Sequence, residues 1–334
     1  MQIVPEVSVE PGVGSVPALP WVATRASGRP LSVAVVLSTT LVVVVTAVAV
    51  GVRLLDLTWG GAAPAVAAAG LLLGLPHGAV DHLAPRMRGG SPTLGRLALL
   101  ANAYLVLAVA TWLLLRWLPA AGLAAFLILS VAHFGAGEAT FHRLRGVQVG
   151  RLVAPSTGLA TVLLPLVAHP AAIAPYLALL VPRWDGRLPL VWTSAALLLA
   201  LALVAAAGLA SVRRRQPGVA IELWLLTAMA LAAPPVVSVA VYFGAWHAVR
   251  HIAVLLVEEE ARGSRSAASA VARLARSAVV PTVASLAVLA LVWCGVSGGR
   301  VDRFISQQVW VLAALTVPHA AVVWWLDRTR GTRQ

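Results

Sequence analysis

Residues 76–82 read PHGAVDH and residues 246–251 read WHAVRH, each set inside an apolar run. Imidazole and carboxylate groups are costly in hydrocarbon, and by default they mark function there. His247 and His251 are spaced i,i+4, so both rings share one helical face. That is the spacing by which a helix grips a metal ion with two imidazoles. Two more segments are of the same kind, AHFGAGE at 132–138 and PHAAVVWWLD at 318–327. A lone intramembrane histidine is more often a helix–helix hydrogen bond, worth about 0.6 kcal/mol. Six candidates, His77, His82, His133, His247, His251 and His319, are harder to explain as separate packing accidents. Neutral imidazole suits iron, copper, nickel and zinc alike. Asp81 and Glu138 would orient the rings and balance charge, and Asp81 stands four residues from His77. Arg250, between the paired histidines, needs a carboxylate, for which Asp81 and Glu138 are the candidates. His142, beside Arg143, and His169, at a proline break, read as structural or interfacial.

The elements that must carry these residues are membrane helices. The chain has 334 residues, 60% hydrophobic and 11% charged, far from the balance of a soluble domain. Runs of about 20 apolar residues fall near 31–52, 61–83, 97–118, 121–142, 152–180, 188–210, 219–233, 236–258, 278–296 and 305–326. The expectation is an all-α polytopic bundle of about ten spans, with eight to ten as the range. The span at 152–180 is interrupted by Pro165 and His169-Pro170, and that at 219–233 is short. With the N-terminus inside, 18 arginines fall in cytoplasmic segments and 6 outside, with Arg250 left in a helix. This bias supports a multi-pass cell-membrane protein with both termini cytoplasmic. The histidines then lie on the second, fourth, eighth and tenth spans, which run mutually parallel. Their depths, on a rise of 1.5 Å per residue, differ by only about 8 Å.

The net charge of +13 comes wholly from arginines between apolar runs, which argues for topology and against nucleic acid. Cys294 is the sole cysteine and excludes a disulfide framework or a thiolate metal site. Residues 1–30 lack the features of a signal peptide and read as a flexible cytoplasmic tail. The expectation is one transmembrane domain over 31–327, catalytic if the histidine cluster holds a reactive metal, and a short cytoplasmic tail at 328–334. The polar stretch at 258–277 reads as a cytoplasmic loop with a short amphipathic helix.

PHGAVDH, AHFGAGE, YFGAWHAVRH and PHAAVVWWLD, in this order over three-quarters of the chain, resemble the Brp/Blh family of membrane β-carotene 15,15′-dioxygenases. The resemblance implies an Fe(2+) enzyme that splits the central double bond of β-carotene with O2 into two retinal molecules. It carries four iron-binding histidines onto His77, His133, His247 and His251, and leaves His82 and His319 beside them without ligating. Glu138 stands where an aspartate is expected, and Ala248 where a small hydroxyl residue is. An apolar tunnel must recognise such a hydrocarbon; Phe134, Tyr242, Phe243, Trp246 and Trp324 are candidate walls. The expected partners are a carotenoid, O2 and the bilayer, with a hand-off of retinal to a rhodopsin left open.

Two other readings compete. A histidine-box desaturase or hydroxylase needs about eight histidines in HxxxH and HxxHH boxes, whereas this chain has one HxxxH and no HxxHH. A non-enzymatic haem-binding or transport protein needs axial histidines on facing helices or coupling carboxylates at broken helices. The broken fifth span has none.

Overall fold

The structure, a computed structural model, describes residues 28–84, 93–181, 184–261, 267–296 and 300–331. Nearly all of the expected N-terminal tail, and residues 332–334 of the C-terminal one, lie outside them. The described residues are mostly helical, without strands. In chain order the helices are α1 (Arg29–Leu54), α2 (Ala62–Gly78), α3 (Leu94–Trp117) and α4 (Pro119–Leu144). Next come α5 (Val153–Ala168), α6 (Pro170–Leu180), α7 (Leu190–Arg213) and α8 (Pro217–Ala232). The last three are α9 (Pro235–Glu260), α10 (Ala268–Gly295) and α11 (Val301–Gly331). Proline in the first turn starts α1, α4, α6, α8 and α9, where its missing N–H costs nothing.

Among the described residues, eight helices are long and apolar enough to cross a membrane, or nine if the pair α5 and α6 is one broken span. That pair bends by 96°. The cause is local: Pro170 pushes His169 out of the helical region, to φ −129° and ψ 54°. The His169 ring Nε2 then meets the Ala230 carbonyl at 3.1 Å, which fixes the break against the end of α8. Helix α8 has 16 residues, about 24 Å, short of the hydrocarbon thickness. The expected ten segments are therefore all present as helices, but one of them is bent and one is short. The loop expected at 258–277 is mostly helix, because α9 and α10 extend into it; residues 262–266 lie outside the described ones.

Small residues set two close crossings. A Cβ on Gly135 of α4 would fall on the Ala154 carbonyl, and one on Gly158 of α5 on the Val131 carbonyl. On the other side of the bundle, Gly70 of α2 and Gly244 of α9 meet backbone to backbone. With Gly137 of α4, whose added Cβ would stand 3.4 Å from the His247 ring, the second crossing brings α2, α4 and α9 to a common centre. The partner pairs give the directions. Gly70, Gly74 and His77 of α2 meet Ala240, Phe243 and His247 of α9 in ascending order. His133 of α4 and His247 of α9 lie five and three residues before Glu138 and Arg250, which meet each other, and Asp327, eight residues after His319 on α11, meets Thr140 of α4. The four histidine-bearing helices thus run parallel, as the arginine alternation predicts, while α1 runs against them, with Ser38 at Arg250 and Val42 near Tyr242.

Candidate active site

Five imidazoles converge where α2, α4, α9 and α11 meet. His77 has ring-centroid distances of 5.2 Å to His247, 5.6 Å to His251 and 4.9 Å to His319. His133 lies 5.3 Å from His247 and 5.1 Å from His319, and His251 lies 5.5 Å from His319. A π-helical turn over Tyr242–His247 widens α9 immediately before the pair; such turns recur at functional sites. His247 and His251 stack at 6.0 Å with a 21° interplanar angle, as the i,i+4 spacing requires. His77, His133, His247 and His319 are buried. One ring nitrogen each from His77, His247 and His319 lie within 4.8 Å of one another.

The outer nitrogens of two rings are held. His77 Nδ1–H donates to the Gly74 carbonyl of its own helix. His319 Nδ1 meets both Asp81 oxygens, at 3.0 and 2.8 Å. Each partner fixes the tautomer by inference from the hydrogen bond, leaving Nε2 as a lone-pair donor toward the cluster. The Nε2 atoms of His247 and His319 are buried with no hydrogen-bond partner among the described residues. Buried unpartnered nitrogens are costly unless something else takes the lone pair.

The spacing from His77 puts Asp81 on the face of that ring, but α2 ends at Gly78 and Asp81 opens a separate turn over Asp81–Leu83. It therefore serves His319, with the Tyr104 hydroxyl 3.4 Å from its Oδ2. His82, in the same turn, bonds the Ala79 carbonyl at 3.1 Å and stands outside the five-ring cluster.

A charged layer adjoins the cluster, with Arg250 between His247 and His251 on α9 and Glu138 five residues beyond His133 on α4. Arg250, 1% exposed, donates from Nη1 to Glu138 Oε2 at 2.8 Å and to Glu222 Oε2 at 2.6 Å, and from Nε to Ser38 Oγ at 3.1 Å. Its guanidinium lies 3.6 Å over the Trp246 ring, whose indole N–H donates to Glu138 Oε1 at 2.9 Å. Of the two partners expected for Arg250, Glu138 is one; the other is Glu222, not Asp81. Sequence reasoning missed Glu222, though it is the only acidic residue between Asp185 and Glu258 and sits in an apolar helix. His142 is buried, with Nε2 3.7 Å from Glu222, and so belongs to this layer rather than to an interface. Glu138, His142 and Glu222 could together hold a cation, but Arg250 and Arg145 already neutralise the carboxylates. A cavity of about 20 Å³, room for about one water, separates the two layers and is lined by Gly137, Glu138, His247, Arg250, His251 and Asp327 among others.

The aromatic residues divide. Phe134 packs on His247 at 4.8 Å and on Tyr242 at 5.0 Å, and Phe243 meets His77 edge-on at 5.3 Å. Trp246 is buried in the charged layer, and Trp324, 57% exposed, faces out of the bundle under Arg328.

Fold and site together define a polytopic helical membrane protein with a buried imidazole cluster at its centre. The chain belongs to the β-carotene 15,15′-dioxygenase family, whose model matches residues 68–327. It is 32% identical over 303 residues to a probable β-carotene 15,15′-dioxygenase Blh of Halobacterium salinarum, covering 80% of this chain and 85% of that one. It is 28% identical over 280 residues to a β-carotene 15,15′-dioxygenase of an uncultured marine bacterium, covering 79% and 93%. No solved structure matches. By family membership the protein is an oxidoreductase of the dioxygenase class.

Proposed function

We propose that this protein cleaves the central 15,15′ double bond of β-carotene with O2, giving two retinal molecules and using Fe(2+). One O2 supplies one oxygen atom to each new aldehyde, so the reaction balances without another reductant. The observation that carries this reading is the layer of buried imidazoles, two with unpartnered Nε2 atoms, at the centre of a family member.

The donor set fits ferrous iron, which imidazole binds well. His77, His133, His247, His251 and His319 would hold the ion, and His77, His247 and His319 already bring one ring nitrogen each within 4.8 Å of one another. This enlarges the set expected from the resemblance: the Asp81–His319 hydrogen bond is the arrangement by which a carboxylate orients and strengthens a metal-binding imidazole. Iron there would supply O2 binding and activation. The chain's own groups do the rest. Gly74 and Asp81 fix the tautomers of His77 and His319. The Arg250–Glu138 pair pins α9 against α4 and so sets His247 relative to His133. Phe134, Tyr242 and Phe243 keep water from His247 and His77.

The protein resides in the cell membrane with both termini cytoplasmic. Arg143, Arg145, Arg213, Arg214 and Arg328 lie toward the end where the histidine helices finish, while Arg53 and Arg116 lie toward the other. Its single catalytic domain spans 31–327.

The test is expression in a β-carotene-accumulating bacterium with chromatography of the extract. Bleaching with about two retinal molecules formed per carotene lost is expected. Persistent carotene beside a membrane-inserted, iron-loaded protein overturns the substrate assignment.

A further inference from the structure

Beside the histidine layer, on the side away from the charged layer, α2, α3, α10 and α11 surround a cleft of about 430 Å³. This lies within the 300–1,000 Å³ of small-molecule pockets. Its floor is formed by Ala108, Leu289 and Ala314, which are buried, and its mouth by Trp112 and Val288, 41% and 46% exposed on the outside of the bundle. Apart from the Trp112 indole at the mouth, the single polar side chain in the lining is Ser285, which already donates to the Pro281 carbonyl at 2.9 Å. The inner walls therefore present no free hydrogen-bonding side chain to an occupant.

The inner end of the cleft adjoins the candidate site. Leu75 stands two residues before His77 and Leu315 four residues before His319. The Leu315 carbonyl accepts the Tyr104 hydroxyl at 3.2 Å, and that hydroxyl also faces Asp81. Ala108 is one turn along α3 from Tyr104. The lining covers only about 6–8 Å along α3, α10 and α11, so the opening is lateral, between α3 and α10, rather than a channel along the bundle axis.

We propose that this cleft is the portal through which a carotenoid passes from the bilayer, one half of the polyene lying in it while the central double bond reaches the histidines. The proposal rests on the carotenoid reading of the site. A hydrocarbon dissolved in the membrane has no reason to leave it, and an apolar opening in the lipid-facing wall lets it reach the site without crossing water.

The test uses the full-length protein in phospholipid vesicles. Ala108→Trp and Ala284→Trp each fill the cleft, and each is expected to raise KM for β-carotene about tenfold or more while iron per protein stays at the wild-type level. In a Cys294→Ser background, Ser285→Cys is labelled by a membrane-permeant maleimide, and loading the vesicles with β-carotene is expected to slow labelling several-fold. Unchanged KM in the iron-replete tryptophan variants, or labelling indifferent to β-carotene, overturns the portal and leaves the cleft to acyl chains. A wild-type protein that forms no retinal refutes the substrate reading instead, and the labelling still decides whether the cleft takes up a carotenoid.

Discussion

Replacing Arg250 by methionine removes the guanidinium that ties α1, α4, α8 and α9 together. Glu138 and Glu222 lose charged partners at 2.8 and 2.6 Å, and Ser38 loses its bond at 3.1 Å. Arg145 remains on Glu222 at 3.2 Å, so the uncompensated charge falls mainly on Glu138, which keeps only the Trp246 indole N–H. Breaking a buried ion pair by removing one partner costs about 3–5 kcal/mol. The lost stacking on Trp246 contributes up to about 2 kcal/mol more, but groups in one network do not add. The expected loss is therefore about 3–5 kcal/mol, a shift of two to four decades in the folding equilibrium. Reversible unfolding in mixed detergent–SDS micelles, followed by circular dichroism, measures it. Adding Glu138→Gln and Glu222→Gln to the Arg250→Met variant should recover most of the loss, because neutral amides need no counter-charge. A loss under about 1 kcal/mol for Arg250→Met alone, or no recovery in the triple variant, would show that this layer is hydrated and that its ion pairs do not hold the bundle.

Asp81→Asn keeps the shape but weakens the acceptor on His319, and should lower iron affinity about 10–100-fold with little change in stability, as read by chelator competition. His319→Ala should lower iron retention at least as much; wild-type iron content in that variant would return His319 to a supporting role. His133→Ala is expected to abolish iron retention and activity together, and an active, folded, iron-free variant would remove the proposed chemistry. Gly135→Val places a side chain on the Ala154 carbonyl and should destabilise the α4–α5 crossing by about 1–3 kcal/mol in the same unfolding assay.

The sequence by itself determined the features that short-range chemistry and the bilayer dictate. Apolar run length marked the helices, arginine alternation gave their directions, and i,i+4 spacing put His247 and His251 on one face. These features are local, so each could be read without knowing any neighbour. It also foretold that His169-Pro170 interrupts a span, though not that the chain turns there by 96°. What only the tertiary structure decided is which side chains meet. Asp81 and His319 are 238 residues apart, Glu138 and Arg250 112 apart. Asp81 serves His319 because α2 ends at Gly78 and rotates it off the His77 face; Glu222 reaches Arg250 because α8 packs on α1 and α9. The lateral cleft, likewise, exists only as space left among four helices. Helix geometry fixes a residue's face and depth, but only the packing of whole helices, driven by their small residues and buried charges, chooses its partner.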